Sequence, residues 1–110
     1  MTFMAEYREE EPTREEVDGS SGLLLLEFGA GWCGHCIAVS AVVEEVLKKQ
    51  PEIRHVRIAD GRGKPLGRSF RVKLWPTLVL LQDGVEIGLL VRPSEGEVRR
   101  LFAQLPASNG

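Results

Sequence analysis

Leu23-Leu24-Leu25-Leu26-Glu27-Phe28-Gly29-Ala30-Gly31-Trp32-Cys33-Gly34-His35-Cys36 is the stretch on which the reading of this chain turns. Four leucines in a row leave neither side of a pleat polar until Glu27, the pattern of a strand buried on both faces. A strand is therefore expected over Leu23–Phe28, ended by Gly29 and Gly31. After Gly34 neither Pro nor Gly occurs before Lys49, and Ile37, Val39, Val42, Val43, Val46 and Leu47 recur at helical spacings. This predicts a long helix over Cys33–Lys49, with Lys48 and Lys49 complementing its dipole and Pro51 preventing continuation.

Outward from this unit the signals are shorter. On the N-terminal side Thr2–Tyr7 reads as a strand, and Thr13 with Glu16 forms a capping-box signature that starts a short helix through Asp18. Gly19 to Gly22 is a turn. Downstream, Ile53–Ala59 alternates imperfectly, as an edge or second central strand does, and Lys64–Phe70 fits a short helix. Thr77–Gln82 reads as a buried strand, Asp83-Gly84 as a hairpin turn and Val85–Val91 as the partner strand. Ser94 with Glu97 opens a closing helix. Early strands joined by helices imply parallel pairing, and the late hairpin an antiparallel edge. The expected fold class is α/β: a mixed sheet of four to five strands flanked by helices on both faces. At 110 residues one domain is expected over 1–110, with its core at about 3–105 and a short disordered tail at 106–110.

Composition narrows the function. Hydrophobic residues make up 43% and charged residues 27%, which excludes a low-complexity chain. Apolar runs such as Leu23–Leu26 fall far short of the roughly 20 residues that a membrane span needs. Glu6, Glu9, Glu10 and Glu11 stand where a secretory signal would be basic and then apolar, so a cytoplasmic chain is expected. Residues 6–18 are strongly acidic, whereas Arg54, Arg57, Arg62, Lys64, Arg68, Arg71 and Lys73 are opposed only by Asp60. That basic stretch can steer an acidic partner or simply be a solvated face. A pI near 5.7, with aromatics not interleaved among the bases, speaks against nucleic acid.

Two cysteines are too few for a disulfide scaffold, so their pairing points to catalysis or regulation. Cys33 lies where unpaired backbone N–H groups and the helix dipole favour negative charge, which depresses its pKa and makes it the attacking thiolate. Cys36, one turn on and on the same face, is placed to resolve a mixed disulfide formed at Cys33. His35 between them stabilises a thiolate when protonated, which favours the dithiol. A closed zinc site needs four ligands, and two Cys with two His, one of them His55 on another element, do not suit it. No metal and no bound cofactor is expected. By the two-residue period Glu27 shares its face with Leu23 and Leu25, so its carboxyl is expected in an apolar layer with a raised pKa.

Trp32-Cys33-Gly34-His35-Cys36 after a buried strand resembles the thioredoxin superfamily, and Cys-Gly-His-Cys is the form found in protein disulfide isomerase domains. Glu27 matches the family's buried acid. Leu74-Trp75-Pro76-Thr77 matches the loop whose proline is cis and faces the sulfurs, Gln82-Asp83-Gly84 fits its hairpin, and the element order fits from about residue 3 to 105. The resemblance implies a thioredoxin fold and a thiol-disulfide oxidoreductase. It further implies that Glu27 helps deprotonate Cys36 and that Trp32, Gly34 and His35 tune the site. Trp75, Pro76, Thr77 and Arg92 would contact substrate.

Departures from the family pattern are Trp75 in place of a small or aliphatic residue, Ala41 in place of a helix-kinking proline, Ile37 in place of a lysine, and Arg92 in place of a glycine beside the groove. Trp75 either contacts substrate or packs on Trp32, and Arg92 either returns a positive charge or obstructs a partner. The expected activity is a monomeric, cytoplasmic net reductase of protein disulfides, recharged by a separate reductase. An exported chain with this motif would serve oxidation or isomerisation instead. The alternative is a binding or assembly module that keeps the fold for one protein partner, with little redox turnover.

Overall fold

A computed structural model describes residues 6–105. Eight elements follow in order: α1 (Arg14–Asp18), β1 (Leu23–Gly29), α2 (Gly34–Lys48), β2 (Arg54–Ala59), α3 (Pro65–Ser69), β3 (Thr77–Gln82), β4 (Val85–Val91) and α4 (Glu95–Ala103). The sheet order is β2-β1-β3-β4. β1 runs parallel to β2 and antiparallel to β3, and β3 pairs antiparallel with β4. This is a mixed four-stranded sheet of the thioredoxin fold. The strand expected at Thr2–Tyr7 falls mostly outside the described residues, as does the expected tail at 106–110. Beside β2, Arg8 makes an isolated parallel bridge with Ile58, its N–H donating to Arg57 O and its carbonyl accepting from Ala59 N.

The double burial of β1 has two causes, one on each face. Leu25 packs with Val39, Val43, Val46 and Leu47 of α2 and with Val98 and Phe102 of α4. Leu24, Leu26 and Phe28 pack with Val17, Leu66 and Phe70, the α1 and α3 side. Both capping boxes form: Thr13 Oγ1 accepts from Glu16 N while Glu16 accepts from Thr13 N, and Ser94 and Glu97 do the same at α4. Lys49 is the C-cap of α2, one residue beyond its last turn.

The Asp83-Gly84 turn has positive φ at both residues, 51° and 81°. It sits against the turn after α1, where Asp83 N donates to Gly22 O and Gly22 N donates to Asp83 Oδ1. A Cβ on Gly84 would overlap the Asp18 carbonyl, which is backbone and cannot swing aside. Gly84→Ala is expected to cost about 2–4 kcal/mol, combining the left-handed conformation with overpacking. Ser94→Ala, which removes one cap, is expected to cost about 1 kcal/mol. Urea unfolding of the two variants beside the parent checks the ranking.

Candidate active site

Cys33 is the N-cap of α2, in extended conformation, so its side chain turns back over the helix start. Its Sγ accepts a hydrogen bond from Cys36 N at 3.3 Å. Burial opposes ionisation of Cys33. Hydrogen bonds from the Cys36 thiol and from the Cys36 and His35 backbone N–H groups, together with the positive charge of Arg92, outweigh it and hold the Cys33 pKa below the ordinary thiol value. The depressed pKa expected of Cys33 agrees in direction, but His35 contributes through its backbone. Cys36 is fully buried. Burial, then the neighbouring Cys33, push its thiol up, while Ala30 and Tyr7 hydrogen bonds pull it down. Both cysteines are free thiols.

The Leu74–Thr77 loop and Arg92 form the rim. The Trp75–Pro76 bond is cis, and Thr77 Oγ1 donates to Leu74 O at 2.7 Å. The Trp75 ring packs edge-on against Trp32 with centroids 5.7 Å apart, and Trp75 Nε1 donates to Asp60 Oδ2 at 2.9 Å. Trp32, 79% exposed, lies on the surface beside it. Arg92 has φ 45°, donates its backbone N–H to Pro76 O at 2.8 Å and its Nε to Trp75 O at 2.9 Å. It therefore ties the loop and brings positive charge to Cys33, at a site where Ile37 supplies none.

Glu27 departs from expectation. Its carboxylate is fully buried, but in a polar cluster. In the parallel register Glu27 pairs with Arg57 and Leu25 with His55, so both β2 side chains share its face. His55 Nε2 lies 2.8 Å from Oε1. Ser40 Oγ donates to Oε2 at 2.7 Å, Arg57 Nε stands 3.4 Å from Oε2, and Arg57 Nη2 donates to Ser40 Oγ at 2.6 Å. The Tyr7 hydroxyl donates to Oε2 at 3.3 Å, with the Arg57 guanidinium 3.9 Å from the Tyr7 ring centroid. Desolvation pushes the Glu27 pKa up, but the His55 hydrogen bond and charge, the Arg57 charge and the Ser40 hydrogen bond outweigh it. The expected raised pKa is corrected to a lowered one, because β2 supplies cations that the β1 pattern does not reveal.

A thioredoxin family model matches residues 5–102. This chain belongs to the thioredoxin family. It is 44% identical to thioredoxin 2 from Pseudomonas aeruginosa PAO1 in its reduced form, over 92% of this chain and 99% of that one, with a TM-score of 0.76. It is 34% identical over 73 residues to a thioredoxin of Chlamydia pneumoniae, covering 66% of this chain and 71% of the relative. A thioredoxin H-type of Fagopyrum esculentum is 26% identical over 89 residues, 81% of this chain and 77% of the relative. The protein is accordingly a thiol-disulfide oxidoreductase with a Cys-X-X-Cys site. Members of the thioredoxin family act on protein disulfides and use the cysteine pair itself, without a bound cofactor.

Among the described residues no group of three or more His, Cys, Asp or Glu side chains is placed to hold a metal ion. No described helix is long and apolar enough to cross a membrane. Tyr7, Ser40, His55 and Arg57 are the site residues that the sequence reading missed. His55, set aside there as belonging to another element, touches Glu27 directly. The available signal was phase: Ile53, His55, Arg57 and Ala59 alternate with Val56 and Ile58, and the first of them is core.

Two outcomes follow from these charges in this thioredoxin-family chain. Because the folded pKa of Glu27 lies below its ordinary 4.5, the ion pairs stabilise the fold fully above that value. That contribution is lost as pH falls through 4.5 toward the folded value. Glu27→Gln is expected to be less stable by about 3–5 kcal/mol at neutral pH, where it removes the carboxylate that the buried Arg57 faces. The gap to the parent should narrow below 4.5 in urea unfolding series. Separately, Arg92→Ala is expected to raise the pH midpoint of Cys33 alkylation by removing a cation that favours the thiolate. An unchanged midpoint would show that Arg92 does not act on the sulfur.

Proposed function

We propose that the chain is a net reductase of protein disulfides in the cytoplasm, recharged by a separate reductase, with Cys33 as the attacking and Cys36 as the resolving residue. The observation that carries this reading is the asymmetry of the two sulfurs. Cys33 is a partly exposed N-cap with a lowered pKa, and Cys36 is buried one turn behind it with a raised one. In the forward step the Cys33 thiolate attacks a substrate disulfide, forming a Cys33–substrate bond and releasing one substrate thiolate. Cys36 then loses its proton and attacks Cys33 Sγ, which forms the Cys33–Cys36 disulfide and frees the second substrate sulfur. Glu27 receives the Cys36 proton.

Substrate is held by the rim. An extended substrate segment would pair with the backbone of Trp75, next to Pro76 and Thr77, as an added strand. Arg92 supports that surface by fixing the Trp75 carbonyl, whose second lone pair stays available. The Trp32–Trp75 pair gives an apolar flank. Trp32, Gly34 and His35 shape the reactivity of the helix start. The protein's partners are protein disulfides and a reductase rather than nucleic acid, and it works as a single-domain monomer.

Cys33→Ser is expected to abolish reduction of a protein disulfide. Cys36→Ser should keep one round of attack and accumulate a substrate mixed disulfide at Cys33, visible by mass spectrometry. A glutathione redox titration followed by Trp32 and Trp75 fluorescence decides direction. A potential near about −270 mV supports the reductase, whereas one near about −180 mV makes the protein an oxidant or isomerase.

A further inference from the structure

The Tyr7 hydroxyl lies beside both Glu27 and Cys36. On one side it donates to Glu27 Oε2 at 3.3 Å. On the other it lies beside the Cys36 sulfur, the two atoms flanking Gly29. A Cβ on Gly29 would lie 2.6 Å from Cys36 Sγ and 2.8 Å from the Tyr7 hydroxyl oxygen, so both atoms crowd the same side of that glycine. Only glycine leaves room for sulfur and phenol to meet there. Tyr7 is also held in place: the Arg8 backbone bonds tie it to β2, and the Arg57 guanidinium lies over its ring.

We propose that the Tyr7 hydroxyl is the proton conduit between Cys36 and Glu27. The proposal rests on the reading that Glu27 receives the Cys36 proton, and it names the path. A phenol has one donor and two acceptor sites, so it can accept from the thiol while donating to the carboxylate. As Cys36 Sγ attacks Cys33 Sγ of the mixed disulfide, the Cys36 S–H proton passes to the Tyr7 oxygen and the Tyr7 O–H proton passes to Glu27 Oε2. The Cys36–Cys33 bond forms, the Cys33–substrate bond breaks, and the substrate sulfur leaves with the electron pair of that bond. Tyr7 ends as a neutral phenol. Glu27 ends protonated and returns its proton through the half-buried Tyr7 to the departing thiolate or to water.

His55 and Arg57 of β2 favour the ionised form of Glu27, so the carboxyl hands its proton on as the step completes. The groups facing Tyr7 come from three elements: Glu27 of β1, Cys36 of α2, and Arg57 of β2. Tyr7 touches a reacting sulfur only through its hydroxyl, so Tyr7→Phe removes the conduit and keeps the ring under Arg57.

The test uses the full chain and a symmetric aryl disulfide whose thiolate absorbs. In stopped flow the first release reports attack by Cys33 and the second reports resolution by Cys36. Tyr7→Phe is expected to slow the second release on the order of 100-fold near neutral pH, the scale of general acid–base catalysis, and to leave the first unchanged. The deficit should shrink as pH rises and Cys36 ionises unaided. Glu27→Gln, in urea-free conditions where circular dichroism shows it folded, is run beside it and should show the same pH-dependent deficit.

A normal second release in Tyr7→Phe with a slow one in the Glu27 variant overturns the conduit and leaves Glu27 as acceptor. Normal release in both overturns the conduit and the Glu27 reading together. A deficit in Tyr7→Phe that is equal at all pH values, or that the Glu27 variant does not share, also overturns the conduit, since packing alone would produce it.

Discussion

A carboxylate with no access to water must be matched by charge or remain neutral, and Glu27 at the end of the doubly buried β1 is where this fold meets that constraint. The solution is one of register. Parallel pairing sets Arg57 opposite Glu27 and His55 opposite Leu25, and α2, packed on the same face, lowers Ser40 onto the carboxylate. The same helix begins with Cys33 and buries Cys36 one turn on. Strand register, helix start and sulfur position are therefore linked, because β1, β2 and α2 all meet at this carboxylate.

Much of this was legible in the sequence. The Leu23–Phe28 run, the helix after Cys33 and the two capping boxes carry local signals, since burial on both faces, helical period and cap chemistry each act within a few residues. The positions of Cys33 and Cys36 followed from the same local physics. The ionisation of Glu27 did not. Its partners lie 28 and 30 positions away on β2, and a window along β1 sees only Leu23 and Leu25 on its face. Tyr7 was harder still, because among the described residues its segment meets the sheet through an isolated bridge at Arg8 and not through a named strand.

The rim shows how a substitution can be absorbed. The large indole at Trp75 packs edge-on with Trp32 and fixes its N–H on Asp60. Arg92 adopts the left-handed backbone and uses its side chain on the Trp75 carbonyl. The loop thereby gains side-chain ties, and the cation absent at Ile37 returns from the opposite side of the site.

Stability alone does not account for the cluster behind Cys36. Replacing a buried ion-pair group by packed apolar residues is often neutral or stabilising, since desolvation can exceed the Coulombic gain. An all-apolar layer continuing Leu25 and Ile53 would satisfy the fold. It would also leave Cys36 in a medium that opposes its ionisation without any group to take its proton, because burial is already the largest influence raising the thiol. A resolving cysteine must be buried enough to wait until Cys33 has reacted, and must still ionise when its turn comes. On the proposed path, an ionised carboxylate nearby, reached through the Tyr7 phenol, meets both demands at once.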